Sequence, residues 1–290
     1  MTVRPPYQAG AFYERIPATC RFQAEQLFDS AELGKDLPGR LYGGLVPHAG
    51  WMYSGRLAAL TLKAIYTSIS PNTFVLLGAD HIGRAELGEV FEGKAWQTPL
   101  GQVQINEDLA AAIIKADRLL RGNSQAHSHE HSIEVQIPLL QVLDPQIRIV
   151  PITVPPSGSA GQIGEAIASV LKDWPEPVSI VGSTDLTHHG GHFPSPGGSG
   201  KAGVQWAVKN DQRMISLIEQ MQADRIVPEA LKHGNACGAG AIAATISACR
   251  KLGATRGICL EYTNSYEVVH AMVPDEQNDT TVGYASVVFA

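Results

Sequence analysis

The stretch "GGLVPHAGWMYSGR", residues 43–56, runs from a short apolar segment into Pro47, His48, Ala49 and Gly50. A buried strand that ends on proline, histidine and small residues adds no packing groups there; it delivers an imidazole to the rim of a sheet and turns. Two other segments repeat the design. Asp80 and His81 follow "TFVLLG" (73–78), and Asp185 and His188 follow "VSIVGS" (178–183). Three strands therefore carry a histidine past the same, C-terminal, end, the edge of an open α/β sheet at which ligands bind because loops converge there on a rigid frame.

Around these segments, short apolar runs alternate with longer ones of helical period, the pattern of strands crossed by helices. The remaining expected strands are "LYGGLV", of which the first stretch is part, "IRIVPITV", "RGICLEYT" and "TVGYASVVF". Helical spacing marks "GRLAALTLKAIYTSI", "NEDLAAAIIKADRLL", "SIEVQIPLLQVL", "GQIGEAIASVLKDW", "WAVKNDQRMISLIEQM" and "GAGAIAATISACRKL". "HHGGHFPSPGGSGK" (188–201), rich in Gly, Pro and Ser, reads as a loop beside His188 and a candidate lid.

Composition narrows the function classes. The 290 residues, 44% of them hydrophobic, suffice for a sizeable core. A net charge of −6 without a Lys/Arg block argues against a nucleic-acid partner. The N-terminus lacks the apolar core of a signal peptide, and no run reaches the roughly 18 apolar residues of a membrane helix, so the expectation is a cytoplasmic protein with no membrane partner. Cys20, Cys237, Cys249 and Cys259 show no CxxC pairing and are expected as free thiols.

Imidazoles that converge repel one another as cations, so three of them make sense around something positively charged that binds their neutral form. A metal is the economical reading; a metal-free hydrolytic site is the competing one, for which Ser183 and Thr184 lack a nucleophile-elbow pattern. Cys237, in "HGNACGAGAIAATISAC", precedes an Ala-rich helix whose dipole favours a thiolate, a better ligand and an easier one to oxidise. "HSHEHSIEVQIP" packs His127, His129, Glu130, His131 and Glu134 ahead of a helix, where Ser128 or Ser132 is expected to cap. His127 and His131 share a face if that helix starts early, and Glu130, His131 and Glu134 are candidate partners to metal ligands. Asp185 lies three residues before His188, close enough to fix its tautomer; His189 and His192 read as loop residues.

"AGAFY" (9–13), "VPHAGWMYSG" (46–55), "LGADHIG" (77–83), "WQTPLG" (96–101), "EHSIEVQIPLL" (130–140), "STDLTHHG" (183–190), "ACGAGA" (236–241), "YTNS" (262–265) and "VGYASV" (282–287) together resemble the Memo family, in order and along nearly the whole chain. The resemblance implies one domain over residues 1–290 with a mixed central sheet flanked by helices, similar in fold to the class III extradiol ring-cleaving dioxygenases. It further implies His48 and His81 as histidine ligands, Cys237 in place of the dioxygenase carboxylate, His188 as the acid/base histidine and Asp185 as its pocket neighbour. "LGADHIG" has Ala79 where the family's proline is expected.

A thiolate in place of a carboxylate is a softer donor, which favours copper or a redox role beside iron and puts ring cleavage in doubt. Eukaryotic members are linked to motility signalling, phosphopeptide binding and copper or iron chemistry, prokaryotic members to a radical SAM partner in the AmmeMemoRadiSam system. Three expectations follow. One is a metal-binding oxidoreductase-like protein holding iron or copper and acting on a small substrate. Another is a module that binds a peptide or partner protein. The last is a zinc-dependent hydrolase.

Overall fold

The computed structural model describes residues 3–34, 37–191, 193, 195–274 and 279–290. Its centre is five parallel strands in the order Gly101–Ile105, Arg148–Thr153, Thr73–Gly78, Val178–Ser183 and Gly43–Val46. Val178–Ser183 lies between the other two histidine-bearing strands and is parallel to both. The segments after Val46, Gly78 and Ser183 therefore leave one edge of the sheet side by side.

Antiparallel strands extend the sheet on both flanks and make it mixed. Thr281–Phe289 pairs with Gly43–Val46 and also with Gly257–Asn264, while Ala95–Thr98 pairs with Gly101–Ile105 and carries Val3–Arg4 beyond it. The strands Thr73–Gly78 and Gly43–Val46 are buried at every residue, as expected of parallel strands with both faces covered.

Helices cover those faces. Trp51–Ile69 buries Leu57, Leu62 and Ile65, and Ala160–Lys172 packs on Ala239–Leu252. Small residues let that last pair approach closely: a Cβ on Gly164 would lie 1.9 Å from the Ala244 carbonyl oxygen.

Three of the expected strands, 73–78, 178–183 and 281–289, have the boundaries read from the sequence. Several helices do not. The helix expected from Gly55 begins at Trp51, four residues early, with Gly50 as its N-cap, and a helix over Pro17–Ser30 precedes it. The helix expected over 106–120 ends at Ala116; Asp117 is extended, and Leu120–Gly122 forms a strand. Residues 132–143 start as a 3₁₀ turn, Glu134–Gln136, before the helix Ile137–Leu143. Residues 188–201 are not all loop: His188–His189 pairs with Thr281–Phe289, and a helix runs from Gly200 to Glu219. His189 is accordingly buried in the sheet instead of looped out, and His192 lies outside the described residues.

Candidate metal centre

The strand-end segments bring His48, His81, Asp185 and His188 to one cleft. The rings of His48 and His81 meet edge-on with centroids 5.1 Å apart. Cys237 reaches the same point from the turn before Ala239–Leu252, its Sγ 3.2 Å from His48 Nε2. That turn presses on the end of the central strand, where a Cβ on Gly238 would lie 2.3 Å from the Ser183 carbonyl oxygen. One donor atom each from His48, His81 and Cys237 lies within 4.8 Å of the other two.

Hydrogen bonds decide which ring nitrogens are free. The Ser183 hydroxyl donates to the Ser132 carbonyl at 2.7 Å, so its oxygen accepts from His48 Nδ1 at 2.9 Å. His81 Nδ1 donates to the Glu130 carboxylate at 3.0 Å, and His188 Nδ1 donates to the Leu186 carbonyl at 3.0 Å. Each ring thus carries a proton on Nδ1 and keeps Nε2 for something else. A neutral imidazole ligand is commonly fixed this way, by a hydrogen bond from its other nitrogen. Ser183 and Ser132 are therefore site residues that sequence reasoning missed; neither is a nucleophile or a helix cap.

Asp185 acts on other neighbours than expected. Its carboxylate accepts from the His48 main-chain N–H at 2.7 Å, its own N–H donates to Cys237 Sγ at 3.2 Å, and its carbonyl accepts from the Cys237 N–H at 3.2 Å. Asp185 thus ties His48 to Cys237, and the Leu186 carbonyl, not Asp185, sets the tautomer of His188. The His188 ring packs on Phe193, centroids 4.9 Å apart.

The 127–134 segment divides. Glu130 accepts the His81 main-chain N–H at 2.8 Å besides its ring N–H, and also the Ser132 N–H at 2.8 Å. His131 stacks on His81 with centroids 4.7 Å apart. His81, Glu130 and His131 form a second close group of metal-binding residue types, but the three N–H bonds already engage the Glu130 carboxylate. Glu134 points away from the centre, toward Arg4 and the N–H groups of Tyr7 and Gln8. His127 is likewise elsewhere, bonded through Nε2 to the Glu89 carbonyl, because the chain is not helical over 127–131 and the two histidines share no face.

Burial lowers His48 well below its ordinary value, and His81, His131 and His188 around it add to the effect. His131 and His188 are lowered too, first by burial. Burial also pulls His81 down, but its bonds to Cys237 and Glu130 outweigh that and bring it to about 10. Burial raises Asp185 to about 7. Cys237 and Glu130 thus favour positive charge at His81, while burial disfavours it at His48, His131 and His188.

The cleft above it has a volume of about 490 Å³. Phe12, Tyr53, Phe193, Val269, Val282 and Tyr284 make its apolar walls, and no Lys or Arg lines it among the described residues. Phe12, Tyr53 and Tyr284 lie within the family-like segments 9–13, 46–55 and 282–287, but an aromatic side chain by itself more often marks core than a cleft wall. Among the described residues, no helix is long and apolar enough to cross a membrane.

A family model described as Memo-like protein matches residues 4–288. A MEMO1 family protein of Methanothermobacter thermautotrophicus is 36% identical over 293 residues, spanning 98% of this chain and 99% of that protein. One of Methanopyrus kandleri is 33% identical over 297 residues, spanning 99% and 98%. The crystal structure of the uncharacterized protein JW3007 from Escherichia coli K12 shares the fold, with a TM-score of 0.53 at 12% identity over 84% of this chain and 99% of that one. Matched nearly end to end by relatives and family model alike, the chain belongs to the Memo-like protein family.

Proposed function

We propose that the protein binds a transition-metal ion through Nε2 of His48, Nε2 of His81 and Sγ of Cys237, and that the ion is iron or copper in redox service to a small substrate. The observation that carries this reading is the convergence of the three donor atoms within 4.8 Å while both rings are held by Nδ1. The donor set fits an ion: in a tetrahedral site with nitrogen and sulfur ligands, donors sit roughly 3.5 Å apart, and His48 Nε2 and Cys237 Sγ are 3.2 Å apart. Two imidazoles and a thiolate suit copper, iron or zinc.

A bound ion would supply electron transfer or polarisation of a donor atom on the substrate. The chain supplies the rest. His188, with its Nδ1 proton on the Leu186 carbonyl, offers Nε2 as a proton acceptor beside the cleft. Asp185 keeps His48 and Cys237 in register, and the aromatic walls exclude water and hold an apolar body. A phosphopeptide fits poorly here, because no cation among the described lining residues meets a phosphate. Zinc-dependent hydrolysis uses the same donors and differs in the metal. A radical SAM protein as partner belongs to the same proposal, and co-purification with that protein tests it.

Elemental analysis of untagged protein purified without oxygen, beside His48→Ala and Cys237→Ala, tests the centre. A near-stoichiometric iron or copper signal that both substitutions remove is expected. Zinc instead favours the hydrolase, and no metal after reconstitution turns the reading toward a binding module.

A further inference from the structure

Arg4, on the short strand Val3–Arg4, is almost fully buried, 3% exposed. Its guanidinium stacks 4.1 Å from the centroid of the Trp96 ring and spends nearly all its donors on one stretch of chain. Nε donates to the His127 carbonyl at 2.6 Å, Nη2 to the Glu130 carbonyl at 2.7 Å, and Nη1 to the Glu134 carboxylate at 2.8 Å; Nη1 also lies 3.2 Å from the Pro5 carbonyl. A planar fork reaches these acceptors from three separate nitrogens, whereas the three donors of a lysine radiate from one and do not span them.

Glu130 stands between that fork and the metal centre. Its carbonyl takes Arg4, and its carboxylate takes the main-chain and ring N–H of His81. Glu134 closes the fork from the other side and accepts in addition from Tyr7 N, Gln8 N and the Tyr13 hydroxyl. The His48 side is reached less directly: its ring bonds Ser183, whose hydroxyl goes to the Ser132 carbonyl, and only the Ser132 N–H then meets the Glu130 carboxylate.

We propose that Arg4 is a positioning residue for the metal centre, acting through Glu130 directly on His81 and only through Ser132 and Ser183, two residues further on, toward His48. The inference rests on the metal reading above. It makes the N-terminal strand part of the apparatus that shapes the donor set. Loss of the fork frees the Glu130 main chain, and with it the carboxylate that aims His81.

Cobalt(II) is the probe, titrated into the full chain as wild type, Arg4→Lys and Arg4→Met, with Ile167→Val as a buried change in a helix whose residues line no part of the cleft. Arg4→Lys and Arg4→Met are expected to weaken cobalt binding about 10- to 100-fold, the usual effect of losing an outer partner of a ligand. The thiolate-to-cobalt absorption from Cys237 persists, the ligand-field bands shift as His81 detaches, and Ile167→Val changes neither. Wild-type affinity and bands in the Arg4 variants overturn the proposal. If both Arg4 variants fail to fold, Glu134→Gln, which opens the same fork from the opposite side, is read against the same outcomes. A wild type that binds no cobalt refutes the metal reading, and the brace is then decided in metal-free protein by the resonance of the His81 ring N–H that Glu130 holds. Its loss in Arg4→Lys supports the brace; a resonance unchanged from wild type overturns it.

Discussion

Glu130 accepts both N–H groups that His81 offers it, the main-chain one at 2.8 Å and Nδ1 at 3.0 Å. Those bonds, with that of Ser132, hold the Glu130 carboxyl down to about 2 against the burial that would raise it. Replacing it with Gln keeps the volume but removes the charge that makes His81 a basic ligand. Glu130→Gln is expected to weaken metal binding about 10- to 100-fold. Competition against a chelator of known affinity measures it, and wild-type affinity would remove Glu130 from the centre.

Much of the candidate site was legible because parallel strands declare their ends. "TFVLLG" and "VSIVGS" have no residue to spare for the surface, so the first polar residues after them had to lie at the sheet edge. Cys237 was legible from its place before an Ala-rich helix. Arg4, Ser183 and Ser132 were not: their roles come from contacts with chain more than 50 residues away, in a pairing no local period encodes. Glu134 was misassigned for the same reason, since its distance from Glu130 in sequence says nothing about an N-terminal arginine arriving between them.

Cys237→Ser tests the soft donor. A hydroxyl of nearly the same size keeps the turn before Ala239–Leu252 but gives a hard, weakly acidic ligand. The expected outcome is a loss of copper(I) affinity of at least about tenfold, with a smaller effect on metals that prefer oxygen and nitrogen donors. Equal affinities for copper(I) in the two proteins would take Cys237 out of the donor set.

His127 predicts a pH dependence of stability. Burial lowers it from 6.5 to about 4, only partly opposed by its bond to the Glu89 carbonyl. A histidine depressed in the folded state favours folding above its unfolded value and withdraws that contribution as the pH falls from about 6.5 toward 4. At pH 4.5 the loss is on the order of 2 kcal/mol. Urea unfolding at pH 7.5 and 4.5 measures it against His127→Gln, whose amide still donates to Glu89. The acid loss is expected to be smaller by about that amount in the variant, and equal losses would refute it.

Gly164 predicts the cost of filling the helix contact behind the sheet. A Cβ there would meet the Ala244 carbonyl oxygen at 1.9 Å and the Ala244 Cα at 2.8 Å, backbone that cannot swing aside as a side chain would. The two helices must part, and the strand Val178–Ser183 beneath Ala239–Leu252 loses contact with it. Overpacking of this kind costs roughly 1–3 kcal/mol, and backbone on backbone belongs at the upper end. Gly164→Ala is therefore expected to unfold at lower urea by about 3 kcal/mol. Because Cys237 and Gly238 form the turn into Ala239–Leu252, the same change should also loosen the Cys237 donor. Normal stability would mean the two helices separate freely, and normal metal affinity at lowered stability would mean that the turn is held by Ser183 and Asp185 independently of the helix behind it.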